Sequence, residues 1–346
     1  MTKKTATATL RHVAEMAGVS IGTASRVING KQTVKPAIRA KVQDAIDKLG
    51  YRPNAVAQSM RRRSTHIVGC IMRDINIPSL AAFVSAAHSV LDQAGFSLLI
   101  SNSEGLEGRE RELLMRLDSQ QADGILFGPY TRLEPEFETF LHRLEAPIVL
   151  VDRDEPAWAD AVMADHAGGA FDATTHLLNQ GHRRILLLTG STFIYPARER
   201  ILGYRRAFAA KGLPVDEELI CTTGFGSMEG FRHTSSRLGS ADPLTAIIAG
   251  GIDMLPGVLR AIRVRGMSIP NDISVVSVGD SELAQLHTPA ISSIRWDQGE
   301  IGRSAAQILL KRIGSGTGGT PERILLPAEF TVRASTAAPR TTSPVG

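Results

Sequence analysis

The residues from Ser20 to Asn29 pose the first chemical question. In a helical repeat, Ile21, Gly22, Ser25, Arg26 and Asn29 fall opposite Ala24, Val27 and Ile28. Arginine reads guanine through two hydrogen bonds, and an aliphatic group such as Ile21 can meet a thymine methyl. Thr23, Ser25 and Asn29 suit phosphate oxygens, contacts that position a helix without reading sequence. Gly22 is out of place, since glycine costs a helix about 1 kcal/mol against alanine. What it supplies is closeness, because a helix without a side chain there can sit deeper against base edges. Together these types suit a recognition helix that enters the major groove amino end first, capped by Ser20.

Other chemistries find little support. No Walker loop and no H-E-x-x-H occur. "GSGTGG", Gly314 to Gly319, has dinucleotide-fingerprint spacing but follows a helical pattern and precedes Pro321, so it reads as a loop. His166, His176 and His182 lack metal-ligand spacing, and Cys70 and Cys221 lie far apart. No metal, no cofactor and no catalytic activity are expected.

Charge points the same way as the helix. The 346 residues carry a net charge of +4, yet residues 1 to 65 hold thirteen basic side chains against three acids. That net +10 leaves −6 for the remainder. A basic head on a mildly acidic body is the electrostatic footprint of a nucleic-acid-binding module joined to something else. There is no apolar run of membrane-spanning length. "MTKKTATATL" has no apolar signal core, which points away from a secreted transport binding protein.

The elements that would position these groups follow from periodicity. Leu10, Val13, Ala14 and Ala17 define a first helix ended by Gly18. The second runs from Ser20 to Asn29-Gly30. A third starts near Pro36, buries Ile38, Val42, Ile46 and Leu49, and stops at Gly50. Three short helices with a tight first turn make a helix-turn-helix head. Beyond Ser64, apolar runs alternate with amphipathic helices: "IVGCIM", "FSLLI", "GILF" and "PIVLV", then, after Asp165, "RILLLT", "LICTT", "TAIIAG" and "ISVVSV". This is a doubly wound α/β pattern in two units, with ligands expected at the carboxyl ends of the strands.

The stretch "TLRHVAEMAGVSIGTASRVINGKQTVKPAIRAKVQDAIDKLGYRPNAVAQSMRR" resembles the head of the lac repressor family of bacterial transcription regulators. "LDQAGFSLLISNS", "DGILFGP", "APIVLVDRD", "LLNQGHRRILLLTG", "RILGYRRAF" and "SIPNDISVVSVGD" extend the resemblance along the body. It implies a DNA-binding head over 1–53, a hinge helix and linker over 54–64, and an effector-binding and dimerising body over 65–340 of periplasmic-binding-protein type. It also implies DNA contacts at Tyr51, Asn54, Ala57 and Met60, with Met60 where the family has a wedging leucine. Lobe crossings are expected near Ala164, Ile294 and Leu326.

The implied effector site comprises Ser79, Asp152, Arg200, Phe225, Asp280 and Trp296. Either aspartate could accept sugar hydroxyls or orient Arg200, or serve as a cap or salt bridge. Phe225 and Trp296 could face a ligand or simply pack. Gly251 and Ile252 stand where the family has Asn-Asp, with Asp253 following, so a polar contact is expected to be missing. The implied protein is a homodimeric repressor on a pseudo-palindromic double-stranded DNA operator. Its effector would be a sugar, sugar acid or nucleoside, and no membrane is involved.

Overall fold

The computed structural model of the chain describes residues 8–28, 33–51, 64–240, 242–316 and 318–340. Two compact units divide it, Met1–Thr65 and His66–Gly346.

In the first unit, α1 (Leu10–Ala17) starts at a reciprocal capping box. Thr9 Oγ1 accepts the His12 N–H, and His12 Nδ1 accepts the Thr9 N–H. It ends where Gly18 turns left-handed at φ 66°, a conformation open to a residue without a side chain, and the next N–H, of Val19, returns to the Ala14 carbonyl. Ser20 Oγ then accepts the Thr23 N–H at 3.2 Å and opens α2 (Ile21–Ile28). Helix α3 spans Pro36–Leu49.

The centre of this unit is built of small residues. Val13, Ala14, Ala17, Ala24, Val27, Val34, Val42 and Ala45 are buried, which lets three short helices approach closely. Leu10, Ile38, Ile46 and Leu49 pack around them half-buried. Ile28, expected in the core, is half-buried at the end of α2, and Ala45 lies in the centre instead.

The second unit holds two six-stranded sheets. The first contains β1 (Ile67–Met72), β2 (Ser97–Asn102), β3 (Gly124–Phe127), β4 (Ile148–Val151), β5 (Asp160–Ala164) and β11 (Arg323–Leu326), all parallel, in the order β11-β5-β4-β3-β1-β2. The second contains β6 (Ile185–Thr189), β7 (Ile220–Thr222), β8 (Ala246–Ala249), β9 (Ser274–Val278), β10 (Ser292–Arg295) and β12 (Glu329–Thr331), in the order β12-β10-β9-β8-β6-β7. It is parallel except where β12 runs against β10.

Helices α4 (Pro78–Gln93), α5 (Glu107–Ser119) and α6 (Pro135–Arg143) belong to the first lobe. Helices α7 (His166–Asn179), α8 (Tyr195–Ala210), α9 (Ser227–Arg237), α10 (Leu255–Val264) and α11 (Glu282–Leu286) belong to the second. Helix α12 (Gln298–Ser315) returns to the first, where Ile301, Ala305 and Leu309 join the core around Val68 and Phe83. The chain therefore passes between lobes after Ala164, after Arg295 and after Leu326. Ile294 pairs with Val278 in the second sheet and Leu326 with Ala164 in the first, which moves both lobe boundaries slightly towards the carboxyl terminus.

Two contacts explain how short strands are held. Arg312 on α12 grips both oxygens of buried Asp160 at 2.7 Å and also donates to the Gly318 and Thr320 carbonyls. One guanidinium thus ties the start of β5 to the glycine-rich loop. Gly203 lets α8 cross α7 closely, since a Cβ there would stand 2.2 Å from the Ala167 carbonyl oxygen. That crossing brings the first turns of α8 over His166.

Candidate functional site

In the head, Ile21, Gly22 and Arg26 make an exposed strip along the outer face of α2. Ile21 is 45% exposed, Gly22 and Arg26 are exposed, and Thr23 and Ser25 are half-buried. The Ser20 and Thr23 hydroxyls share a 2.9 Å hydrogen bond. Tyr51 is half-buried against the head core. Asn29, Asn54, Ala57 and Met60 lie outside the described residues. Gly22 has ordinary helical geometry, and a Cβ there would meet nothing nearer than Ser20 Oγ at 3.9 Å. The fold itself therefore leaves room for a larger residue at this position.

In the second unit, the strand ends of both lobes enclose a cavity of about 210 Å³. Asp152, Arg200, Phe225 and Trp296 line it, as do Arg73, Tyr130, Arg153, Asp253 and Gln298. At its base, three polar side chains connect the lobes. His166 Nε2 lies 2.9 Å from both oxygens of Asp152, and Arg200 Nη2 lies 3.3 Å from His166 Nδ1. Arg200 Nη1 also donates to the Gly250 carbonyl at 2.6 Å.

These partners fix the histidine. A guanidinium can only donate, so Nδ1 must present its lone pair and Nε2 must carry the proton donated to Asp152. His166 is neutral. Burial holds its pKa below the ordinary histidine value, although Asp152 pulls the other way. Burial alone would raise the Asp152 carboxyl, but His166 and Arg153 more than reverse that and hold it low. Burial also lowers Arg200 to about 10, so it remains charged at neutral pH. Arg200 is 5% exposed and its Nε has no hydrogen-bond partner.

A second set of contacts crosses the cleft above this chain. Arg73, just after β1, reaches Asp253 of the other lobe at 3.4 Å. Its guanidinium lies 5.0 Å from the Tyr130 ring centre and 5.9 Å from that of Phe225. Tyr130 and Phe225 meet edge to face at 6.3 Å. Gly251 and Ile252, where a polar contact is expected to be missing, line the cavity together with Asp253.

Asp280 stands elsewhere. Arg333 grips its two oxygens at 2.7 and 2.8 Å, Ser293 Oγ donates to one and Gln285 Nε2 to the other. Its acceptor capacity goes to pinning the end of β9 to the segment after β12, and it does not line the cavity. Ser79 lies in the first turn of α4, between cavity residues Ile77 and Leu80. Sequence reading missed Arg73, Tyr130, Arg153 and His166. Each follows closely on the carboxyl end of a strand of the first sheet, and the strand-end rule applied to every strand would have found them. Among the described residues no cluster suited to a metal ion occurs, and no helix is long and apolar enough to cross a membrane.

Two outcomes follow from these geometries. Gly22→Ala is expected to stabilise the head by about 1 kcal/mol in chemical denaturation, yet to weaken binding to selected duplex DNA in gel-shift titrations. Unchanged affinity would show that close approach is not needed there. The second concerns pH. Burial lowers the pKa of His166, His176 and His182. The unfolded chain takes up protons as pH falls through the ordinary histidine range before the folded chain does, so stability present above that range is lost through it. The melting temperature of the second unit should fall between about pH 7.5 and about pH 5.5; a rise would contradict these assignments.

Comparison with known proteins bears on both units. Residues 9–54 match the model for bacterial regulatory proteins of the lacI family, and residues 174–336 match a periplasmic binding protein-like domain. The chain is 31% identical to catabolite control protein A of Priestia megaterium, over 89% of this chain and 93% of that one. It is 32% identical to the ribose operon repressor of Escherichia coli K12, over 90% and 94%. Its fold matches the lac repressor dimer bound to operator and the anti-inducer ONPF with a TM-score of 0.83, at 27% identity, over 96% of this chain and all of that one. A helix-turn-helix head with an open recognition face, joined to a two-lobed cleft and alike over nearly its whole length to such regulators, makes this chain a member of the lacI family of bacterial transcription regulators.

Proposed function

We propose that this lacI-family regulator is a repressor whose hold on a pseudo-palindromic operator is set by a small carbohydrate-like metabolite in the cleft between its lobes. Acting at the nucleoid as a homodimer, it presents two heads to two half-sites. Arg26 reads a base in each, and Ile21 and Gly22 bring α2 close to the base edges. Ser20, Thr23, Ser25 and Asn29 engage phosphates, so affinity falls steeply with salt.

The observation that carries the effector reading is the polar chain at the cavity base. Asp152 comes from the first lobe, His166 and Arg200 come from the second, and Arg200 keeps a buried N–H unused beside an open cavity. A ligand that engages Arg200 acts on the contact that joins the lobes. Phe225, Tyr130 and Trp296 line the cavity and supply it with aromatic surface for the apolar side of a sugar. A change in lobe angle would alter the spacing of the Asn54–Arg61 segments of the two subunits and so their fit to the minor groove. Coupling of this kind is typically about 1–3 kcal/mol.

The test selects operator sites from random DNA and then measures their binding with and without a metabolite extract. The unsubstituted protein should change its operator affinity when extract is added. Arg200→Ala should bind operator yet show at least about a fivefold smaller response, the low end of typical coupling. An undiminished response in that variant would remove Arg200 from the effector site.

A further inference from the structure

The polar groups around the cavity are unevenly used. Several acceptors are already engaged: both Asp152 oxygens lie 2.9 Å from His166 Nε2, Asp253 Oδ2 takes one Arg73 N–H, and the Gly250 carbonyl takes Arg200 Nη1. The fully buried side-chain atoms of the lining that lack a partner are donors. Arg200 Nε and Trp296 Nε1 are both buried without a hydrogen-bond partner, and both residues line the cavity. Neither N–H can accept. Among the described residues, no carboxylate stands within 4.0 Å of the Arg200 or Arg153 guanidinium.

The backbone adds to this bias. Three long helices begin at the cavity. Ile77 and Leu80 belong to the start of α4, Ile194 and Pro196 to the start of α8, and Gln298 is the first residue of α12. A helix amino end carries about half a positive charge and favours an anion. A neutral sugar brings a donor with every hydroxyl and needs free acceptors. Among the lining carboxylates, Asp74 is engaged through Oδ1 alone, by Asn76, and Asp253 through Oδ2 alone, by Arg73.

We propose that the effector is a sugar acid, a polyhydroxy carboxylate whose acid group seats at Arg200 and the Trp296 N–H. This rests on the effector reading above and narrows it. Arg153 adds positive charge to the same cavity, Asp74 and Gln298 serve the hydroxyls, and Phe225 and Tyr130 cover the carbon skeleton. Two unmet donors match the two oxygens of a carboxylate, whereas a phosphate brings three. A cavity of about 210 Å³ also favours the smaller group, being below the usual range of about 300–1,000 Å³ for ligand pockets.

Calorimetry on the full chain tests this with aldonates and uronates of pentoses and hexoses, D-gluconamide as a neutral analogue of D-gluconate, D-glucose and D-ribose, and D-glucose 6-phosphate. One of the acids should bind, and its amide should bind at least about tenfold more weakly, the effect of losing a charge-assisted hydrogen bond. Arg200→Gln should cost the acid about tenfold or more and the amide far less. If that variant folds poorly, the acid–amide comparison on the unsubstituted protein still decides. A neutral sugar or amide that binds as tightly as any acid overturns the proposal and leaves the effector reading standing. Binding of the phosphate alone does the same. No heat from any compound, with operator binding intact, overturns both.

Discussion

A guanidinium buried away from water and without a carboxylate of its own is the constraint on which the arrangement between the lobes depends. Burying a charge is costly unless it is paired and hydrogen-bonded. Arg200 is held instead by a backbone carbonyl and by the lone pair of a neutral histidine, and the nearest negative charge in that chain of contacts is one residue further, on Asp152 of the opposite lobe. His166 therefore does more than pack. Its tautomer transmits the polarity of Asp152 to Arg200, and the Trp296 ring, nearly perpendicular with its centre 4.8 Å from that of the imidazole, packs against it. The lobes are joined through a contact that is satisfied on the Asp152 side and incomplete on the Arg200 side, where the cavity lies.

The rest of the second unit serves that contact. The parallel strands of both lobes carry their site residues just past their carboxyl ends, as open α/β sheets do. Gly203 allows the close crossing of α7 and α8 that sets Arg200 over His166. The carboxyl-terminal segment is pinned to the second lobe by Asp280 on Arg333, and by His176 and His182 on Thr336 and Ala337. The Arg312–Asp160 pair does the equivalent for the edge of the first lobe. These pairs hold each lobe as a unit, while the three connecting segments between lobes are short.

Much of this was legible in the sequence, for identifiable reasons. The head helices carry a clear 3.6-residue repeat with capping residues at their ends, so their existence, order and outer face follow from residue types alone. Eight strands, the four-residue β3, β4 and β8 and the three-residue β7 among them, announce themselves as apolar runs between amphipathic helices. The four- or five-residue strands β5, β10 and β11 and the three-residue β12 do not, because pairing across distant chain segments defines them. Asp152 and Asp280 look alike in sequence, each following a buried strand. What separates them is the group that folds against each, and Arg333 lies 53 residues from Asp280. His166 escaped because a histidine was weighed as a metal ligand and not as a neutral link between two charges. Asp253 was visible but sits one residue beyond the expected pair, and only the turn after β8 shows that it still reaches the cleft.

The most direct measurement of the central claim is nitrogen NMR on the full chain with labelled histidine, with His166 assigned by comparison with a His166→Gln chain. The account requires His166 to be neutral at pH 7, with its proton on Nε2 and the Nδ1 lone pair engaged. A proton on Nδ1, or on both nitrogens, would place Arg200 against another donor and contradict the arrangement on which the sensor is built.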